Sequence, residues 1–298
     1  MQFDVVATNP PFQDSTNKKK TQHKLWITFT QLAFDKWLKP NGILLQVSPS
    51  SFLSPSNKVL KLFQSKAVKF LHLDTKMYFP KIGSTFADYM VINSVNSEKT
   101  EIVTEHGAFH QEIDSTILYI PIDVCKDSLS IHKKVIFDTK DKLDVRYDYV
   151  NCHNVNVLRG TGIISKTQSE EFKYPILHTN KQIWYSKERQ DWSPKKKVMW
   201  SRSGYTKPFY DDGLLGGTDM AYYVLVSDQT SGENLAHNMN SLLLRYIFTT
   251  AKWSGFGNEK VFCKLPNLPT ISKMTDDEVF DYFQITEQER EYVRRNME

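Results

Sequence analysis

Apolar residues in this chain fall in short blocks whose spacing changes along its length. Phe3 to Thr8 is a β-branched apolar run ended by Asn9-Pro10-Pro11, and it reads as a buried strand. Asp14 to Gln22 is polar and lysine-rich, which predicts a loop. From His23 to Leu38 the residues Leu25, Phe29, Leu32, Ala33 and Trp37 recur at helical spacing and make one apolar face. Pro40-Asn41-Gly42 stops that helix. Ile43 to Val47 predicts a strand, and Ser56 to Lys66 predicts a helix with Val59, Leu62 and Phe63 inward. Val68 to Leu73 and Tyr89 to Val95 predict two more strands. This alternation predicts an α/β fold, with a mainly parallel sheet and helices on its faces. Ligands in such sheets bind at the carboxyl ends of strands, which is where Asn9 to Phe12 falls.

The pattern changes near Asn96, where short apolar runs such as Ile117 to Ile122 alternate with charged ones. From about Val150 to Pro269 glycine clusters appear, tyrosine and tryptophan become dense, and strands look short. Leu235 to Phe248 reads as one helix, and Thr275 opens a capping box before a last one. The expected organisation is a catalytic half over residues 1–98, a connector over 99–148, a β-rich recognition domain over 149–272 and a C-terminal helix over 273–298.

Composition adds bounds rather than an answer. A hydrophobic share of 40% and a charged share of 24% are those of a soluble globular protein. No run reaches the roughly 18 apolar residues of a membrane span, and no secretory signal pattern opens the chain. Cys125, Cys152 and Cys263 are scattered and lack zinc-ligand spacing, which fits a reducing cytoplasm. The formal charge of +4 is too mild to imply a nucleic-acid partner by itself, so clustering decides that question.

The chemistry lies in Asn9-Pro10-Pro11-Phe12. The exocyclic amine of adenine is a poor nucleophile because its lone pair is delocalised into the ring. Accepting hydrogen bonds from both of its N–H groups raises the electron density on nitrogen. Asn9 offers a side-chain carbonyl, Pro10 a backbone carbonyl, and the two prolines stiffen the turn that holds both. Phe12 offers a ring face to the base, which leaves a duplex only by flipping. The bland reading is an ordinary proline turn in which Asn9 bonds its own backbone. The ordered blocks on either side favour the chemical one.

Phe3 to Phe12 resembles the catalytic motif of N6-adenine DNA methyltransferases of the restriction–modification type. Leu38 to Leu53, with Leu38-Lys39-Pro40-Asn41-Gly42 and then Pro49-Ser50-Ser51-Phe52-Leu53, resembles the family's next block, and Tyr78 to Ile92 a later one. The resemblance covers about residues 1–95. It implies a partial Rossmann-like methyltransferase sheet followed by a β-rich or mixed target-recognition domain, with S-adenosylmethionine as methyl donor and double-stranded DNA as partner. By position Phe79 matches the aromatic residue that stacks on the target base, with Phe86 in reserve. Asn9 would touch only the edge of the cofactor site.

The second half suits a DNA reader. Between Lys181 and Tyr210, lysines and arginines that include Lys195, Lys196, Lys197 and Arg202 interleave with Trp184, Tyr185, Trp192, Trp200, Tyr205 and Phe209. Lys18, Lys19 and Lys20 in the loop after the motif, and Lys252 beside Trp253, are further expected phosphate contacts. The family's glycine-rich cofactor motif normally lies dozens of residues before its Asn-Pro-Pro-Phe, and here eight residues precede Asn9. The expectation is therefore a fragment or split enzyme, its cofactor loop in a separate chain, or an inactive remnant. Competing functions are an RNA or protein-amide N-methyltransferase using the same motif, and a non-catalytic DNA-specificity protein. Glu171-Phe172-Lys173 lacks a nearby Pro-Asp and reads as a chance nuclease match.

Overall fold

The computed structural model describes residues 1–12, 24–55, 57–75, 78, 85–95, 99–147, 162–179, 182–202, 207–251 and 259–298. They form two units, the first mainly Met1–Lys133 and the second Lys134–Thr250 with Asn258–Glu298. No helix among the described residues is long and apolar enough to cross a membrane.

The first unit contains, in chain order, β1 (Phe3–Thr8), α1 (Leu25–Leu32), β2 (Leu38–Pro49), α2 (Lys58–Gln64), β3 (Ala67–His72), β4 (Phe86–Ile92), β5 (Thr100–Thr104), β6 (Gly107–Gln111) and α3 (Lys126–His132). Its strands make one six-stranded sheet in the order β1-β2-β4-β3-β5-β6. β1 is parallel to β2 and β3 to β5. The other pairings, β2 with β4, β4 with β3 and β5 with β6, are antiparallel. The expected mainly parallel sheet is therefore a mixed one. β4 turns back against β3 and inserts between it and β2. An antiparallel return of this kind needs no crossover helix, so nothing in the local pattern announces it.

β2 begins at Leu38 and runs through Pro40-Asn41-Gly42, which was expected to be a stop. Asn41 takes φ 62°, and the pairing with β1 skips between Phe3 and Val5, so a bulge absorbs the irregularity. Between α1 and β2, residues Ala33–Trp37 form a π-helical turn, so the α-helix proper is shorter than the apolar periodicity suggested. Asn57 caps α2 by accepting a bond from the Val59 N–H.

One face of this sheet is covered. Trp26, Phe52, Phe63 and Tyr89 interlock edge to face, with Phe63 and Tyr89 ring centroids 4.9 Å apart. The Gln46 amide donates to the Thr30 hydroxyl at 2.8 Å and ties α1 to β2. β1, expected to be buried, lies at the sheet's edge, with Phe3 46% and Val5 52% exposed. Its apolar character therefore does not come from burial within this unit. The sheet also continues past residue 98, since β5 and β6 extend it to Gln111.

The described residues of the second unit are mixed, with seven short strands and five helices. It contains β7 (Ile164–Ser165), β8 (Tyr174–Leu177), β9 (Ile183–Ser186), β10 (Lys196–Ser201), β11 (Phe209–Asp212), β12 (Gly216–Gly217), β13 (Ala221–Leu225), α4 (Gln229–Met239), α5 (Leu242–Thr250), α6 (Glu259–Phe262), α7 (Asp276–Tyr282) and α8 (Glu287–Met297). β11-β10-β13 form one sheet and β12-β8-β9-β7 another. Leu177, Met199, Ala221 and Tyr223 make a shared core, with Trp192 stacked on Tyr223 at 4.1 Å.

Where one helix was expected over Leu235 to Phe248, two meet at Asn240. Its amide donates to the Ala236 and Pro208 carbonyls and closes α4. The tail likewise forms two helices, each opened by a capping box, Thr275 with Glu278 and Thr286 with Glu289.

Candidate active site

β1 delivers Asn9 to Phe12 at the carboxyl end of the sheet's edge strand. Asn9 and Pro11 are exposed, Pro10 is buried and Phe12 is half-buried. The Phe12 ring lies 5.2 Å from that of Phe86, tilted by 34°. A buried proline after an exposed asparagine fixes the turn while leaving the Asn9 carbonyl accessible. Phe86 is 4% exposed, so it backs Phe12 from within rather than offering a free face.

Because β4 is antiparallel to β2, its first residues share an end with the last residues of β2. The Ser50 N–H donates to the Thr85 carbonyl at 3.0 Å, and the Ser50 hydroxyl bonds that of Thr85 at 2.6 Å. The Thr75 hydroxyl, following β3, donates to the Phe86 carbonyl at 2.8 Å. The ends of β1, β2 and β3 and the start of β4 thus meet around Phe86. Ser50 and Thr85, 35 positions apart, carried no role in the sequence reading, because only the strand insertion brings them together.

Below this rim, on the sheet face opposite the aromatic cluster, lies an open cleft of about 500 Å³. Ala7, Thr8, Leu45, Val47, Asp88 and Met90 line it. Asp88 is hydrogen-bonded to His72 Nδ1 at 2.9 Å. Neither of these was singled out from the sequence, since period-2 alternation alone does not say which face will stay open.

The expected DNA contacts divide. Lys195 and Lys196 are exposed, with Lys196 Nζ 3.8 Å from Asp212, and Arg202 is half-buried at the end of β10. Lys197 is a correction: its side chain is 0% exposed. Its ammonium donates to Asp211 Oδ2 at 2.6 Å and to the carbonyls of Ser193 at 2.7 Å and Lys195 at 2.9 Å. Burial pulls its pKa below the usual lysine value, and Asp211 opposes that shift. Lys196 is exposed at the start of β10, while Lys197, the next residue and so on the opposite face, turns inward; the rest of the strand is buried on both faces. Trp184 and Trp200 are buried as well, and Trp192 is stacked on Tyr223, so these three rings are packing residues. Lys18, Lys19, Lys20, Phe79 and Lys252 lie outside the described residues.

The donor S-adenosylmethionine, implied by the resemblance, needs a glycine-lined turn at a strand's carboxyl end. Among the described residues of the first unit, Gly42 sits near the start of β2, where a Cβ would meet the Phe3 and Lys39 carbonyls. Gly107 opens β6 in the β5–β6 hairpin. Neither borders Asn9, so the described residues do not by themselves fit the cofactor.

Residues 1–86 match the model of the Eco57I restriction-modification methylase family. No curated protein sequence matches the chain. Among solved structures it is similar to the Type IIL restriction-modification enzyme MmeI in complex with DNA, at 9% identity over 86% of this chain and 46% of that one, TM-score 0.43. It is also similar to the EcoKI M protein of a Type I restriction enzyme, at 17% identity over 47% of this chain and 36% of that one, TM-score 0.28. A third is the ATP-dependent Type ISP enzyme LlaBIII bound to DNA, at 10% identity over 94% of this chain and 29% of that one, TM-score 0.43. The chain spans less than half the length of each of these.

Proposed function

We propose that this chain is the catalytic and DNA-recognition part of a site-specific DNA adenine N6-methyltransferase that uses S-adenosylmethionine, with the first sheet as a partial Rossmann-like methyltransferase fold. The carrying observation is Asn9, exposed at the carboxyl end of β1 and followed by buried Pro10 and half-buried Phe12, within the segment that matches a methylase family. In this reading Asn9 Oδ1 and the Pro10 carbonyl accept the two N–H bonds of the flipped adenine's amine. Phe12, braced by Phe86, packs on the base, and Phe79 is taken by its place in the sequence as a further stacking residue.

The residues after 148 recognise the DNA. Lys195, Lys196 and Arg202, together with Lys18, Lys19, Lys20 and Lys252, meet phosphates. Methyl supply depends on a cofactor loop that the described residues do not provide.

The test is transfer of labelled methyl from S-adenosylmethionine to duplex DNA by this chain, alone and with its complementing polypeptide. Asn9→Ala lowers transfer by at least about a hundredfold, the scale for losing one preorganised hydrogen-bonding group at a reacting centre, and leaves DNA affinity unchanged. An active Asn9→Ala protein refutes the mechanism. DNA binding with no N6-methyladenine under either condition leaves a non-catalytic specificity protein instead.

A further inference from the structure

We propose that Leu214 is an apolar wedge that enters the base stack of bound duplex DNA and opens one base step, while Lys195 and Lys196 hold phosphates beside it. The inference rests on the reading of the residues after 148 as a DNA-recognition part. It adds a means by which they deform the duplex.

Leu214 is 72% exposed on the turn between β11 and β12. A solitary exposed leucine is ordinary on a protein surface. This one stands on a turn that is gripped at both ends. The Asp211 carboxylate, 5% exposed, accepts the N–H groups of Gly213, Leu214 and Leu215 at 3.1–3.3 Å. Gly213 takes φ +84° and lies so close to the Pro194 backbone that a Cβ would strike its carbonyl. Leu215 packs against the core of Leu177, Met199, Ala221 and Tyr223. Gly216 and Gly217 then pair with β8. The Gln190 amide clamps Gly217, donating to its carbonyl at 2.9 Å and accepting its N–H at 2.7 Å. Two neighbouring leucines are thus divided, Leu215 as anchor and Leu214 held out in water. Because the turn is already ordered, little conformational entropy is left to lose when Leu214 is covered.

Cations lie beside this tip. Pro194, against which Gly213 rests, is followed by exposed Lys195 and Lys196. Lys196 Nζ lies 3.8 Å from Asp212, the residue before Gly213. An apolar tip beside lysines matches a base step beside its phosphates. Leucine is among the side chains that wedge between bases, and lysine neutralises phosphate. A bilayer fits less well, since even a whole myristoyl chain holds a protein to it only marginally. A protein groove fits less well too, because lysine is depleted at protein–protein interfaces. Opening a step is easiest at pyrimidine–purine junctions, so the bound sequence is expected to carry TA or CA/TG at the wedge.

Selection from a random duplex pool with the full chain supplies the DNA for a test. 2-Aminopurine, which brightens when unstacked, then replaces each adenine of either strand in turn. The parent protein is expected to brighten one pyrimidine–purine step besides any flipped adenine. Leu214→Ala darkens that step alone and weakens duplex binding by at least about tenfold, the scale for one buried leucine side chain. It leaves the urea midpoint unchanged, and also the slope of log affinity against log salt, since an apolar contact releases no counter-ion. Leu214→Phe restores both brightness and affinity. Two outcomes overturn the wedge and leave the recognition reading standing: duplex binding by the parent with no such step, and a Leu214→Ala protein that binds and brightens like the parent. A chain that selects no duplex overturns the recognition reading and the wedge together.

Discussion

Lys197→Met separates a phosphate contact from a buried strut. The substitution keeps most of the side-chain volume and removes the charge. It also removes three hydrogen bonds, to Asp211 Oδ2 and to the Ser193 and Lys195 carbonyls. What remains is Asp211, 5% exposed, without its counter-ion. Breaking a buried pair from one side costs about 3–5 kcal/mol, because the surviving charge stays desolvated. Here the lower end applies, since Asp211 also accepts N–H bonds from Gly213, Leu214 and Leu215 at 3.1–3.3 Å. With about 3 kcal/mol lost and a urea slope of about 2 kcal/mol/M, the midpoint of the second unit falls by about 1.5 M. Chemical denaturation followed by tryptophan fluorescence reads this directly, because Trp192 lies 5.5 Å from the Lys197 ammonium. Lys197→Met combined with Asp211→Asn recovers part of the loss, since no uncompensated charge is left. DNA affinity of the folded Lys197→Met protein stays near that of the parent. A variant of unchanged midpoint and reduced DNA affinity would falsify the structural role and restore Lys197 to the DNA surface.

Replacing exposed Lys195 and Lys196 together by alanine should weaken duplex binding without shifting the denaturation midpoint, and should reduce the slope of log affinity against log salt by about 1–2; an unchanged slope removes both from the DNA interface. Gly213 takes φ +84°, and a Cβ there would press into the Pro194 carbonyl, so Gly213→Ala should destabilise the second unit by more than about 1 kcal/mol in urea titration. His132 is buried beside the Tyr119 hydroxyl, 2.6 Å from its Nδ1, and burial lowers its pKa from 6.5 to about 3. The unfolded chain therefore binds a proton that the folded one refuses. Stability of the first unit is intact above pH 6.5 and falls as pH drops from there toward 3, by up to about 1.4 kcal/mol per pH unit. Urea midpoints between pH 7 and 4.5 should show this dependence, and His132→Gln should flatten it.

Much of the candidate site's local geometry was legible in residues 1–12. Apolar β-branched residues followed by Asn-Pro-Pro announce a strand and a rigid turn whatever surrounds them, because proline's fixed φ is a property of the residue. The same holds for the capping boxes at Thr275 and Thr286, of which the sequence reading used only the first. Phe86 was held in reserve as a base-stacking residue. The structure instead places its ring behind Phe12, through a β4 register that no local pattern carries.

The second half shows the opposite balance. Its cluster of basic and aromatic residues is plain in composition, but composition does not say which side of a strand faces solvent. Lys196 and Lys197 are adjacent and alike, yet Lys196 lies exposed at the open end of β10 and Lys197, on the opposite face, reaches Asp211 inside. Trp184 and Trp200 are buried too, Trp200 on the same face of β10 as exposed Lys196.

The sequence by itself determined what is local: the strand–turn at Asn9, the early order of strands and helices, and the caps. Tertiary structure decided the antiparallel insertion of β4, the edge position of β1, the open cleft beside it, and the burial of Lys197. Each of these depends on which strands become neighbours. Neighbours across a sheet are chosen by contacts between residues far apart in the chain, and period, propensity and capping do not encode those contacts.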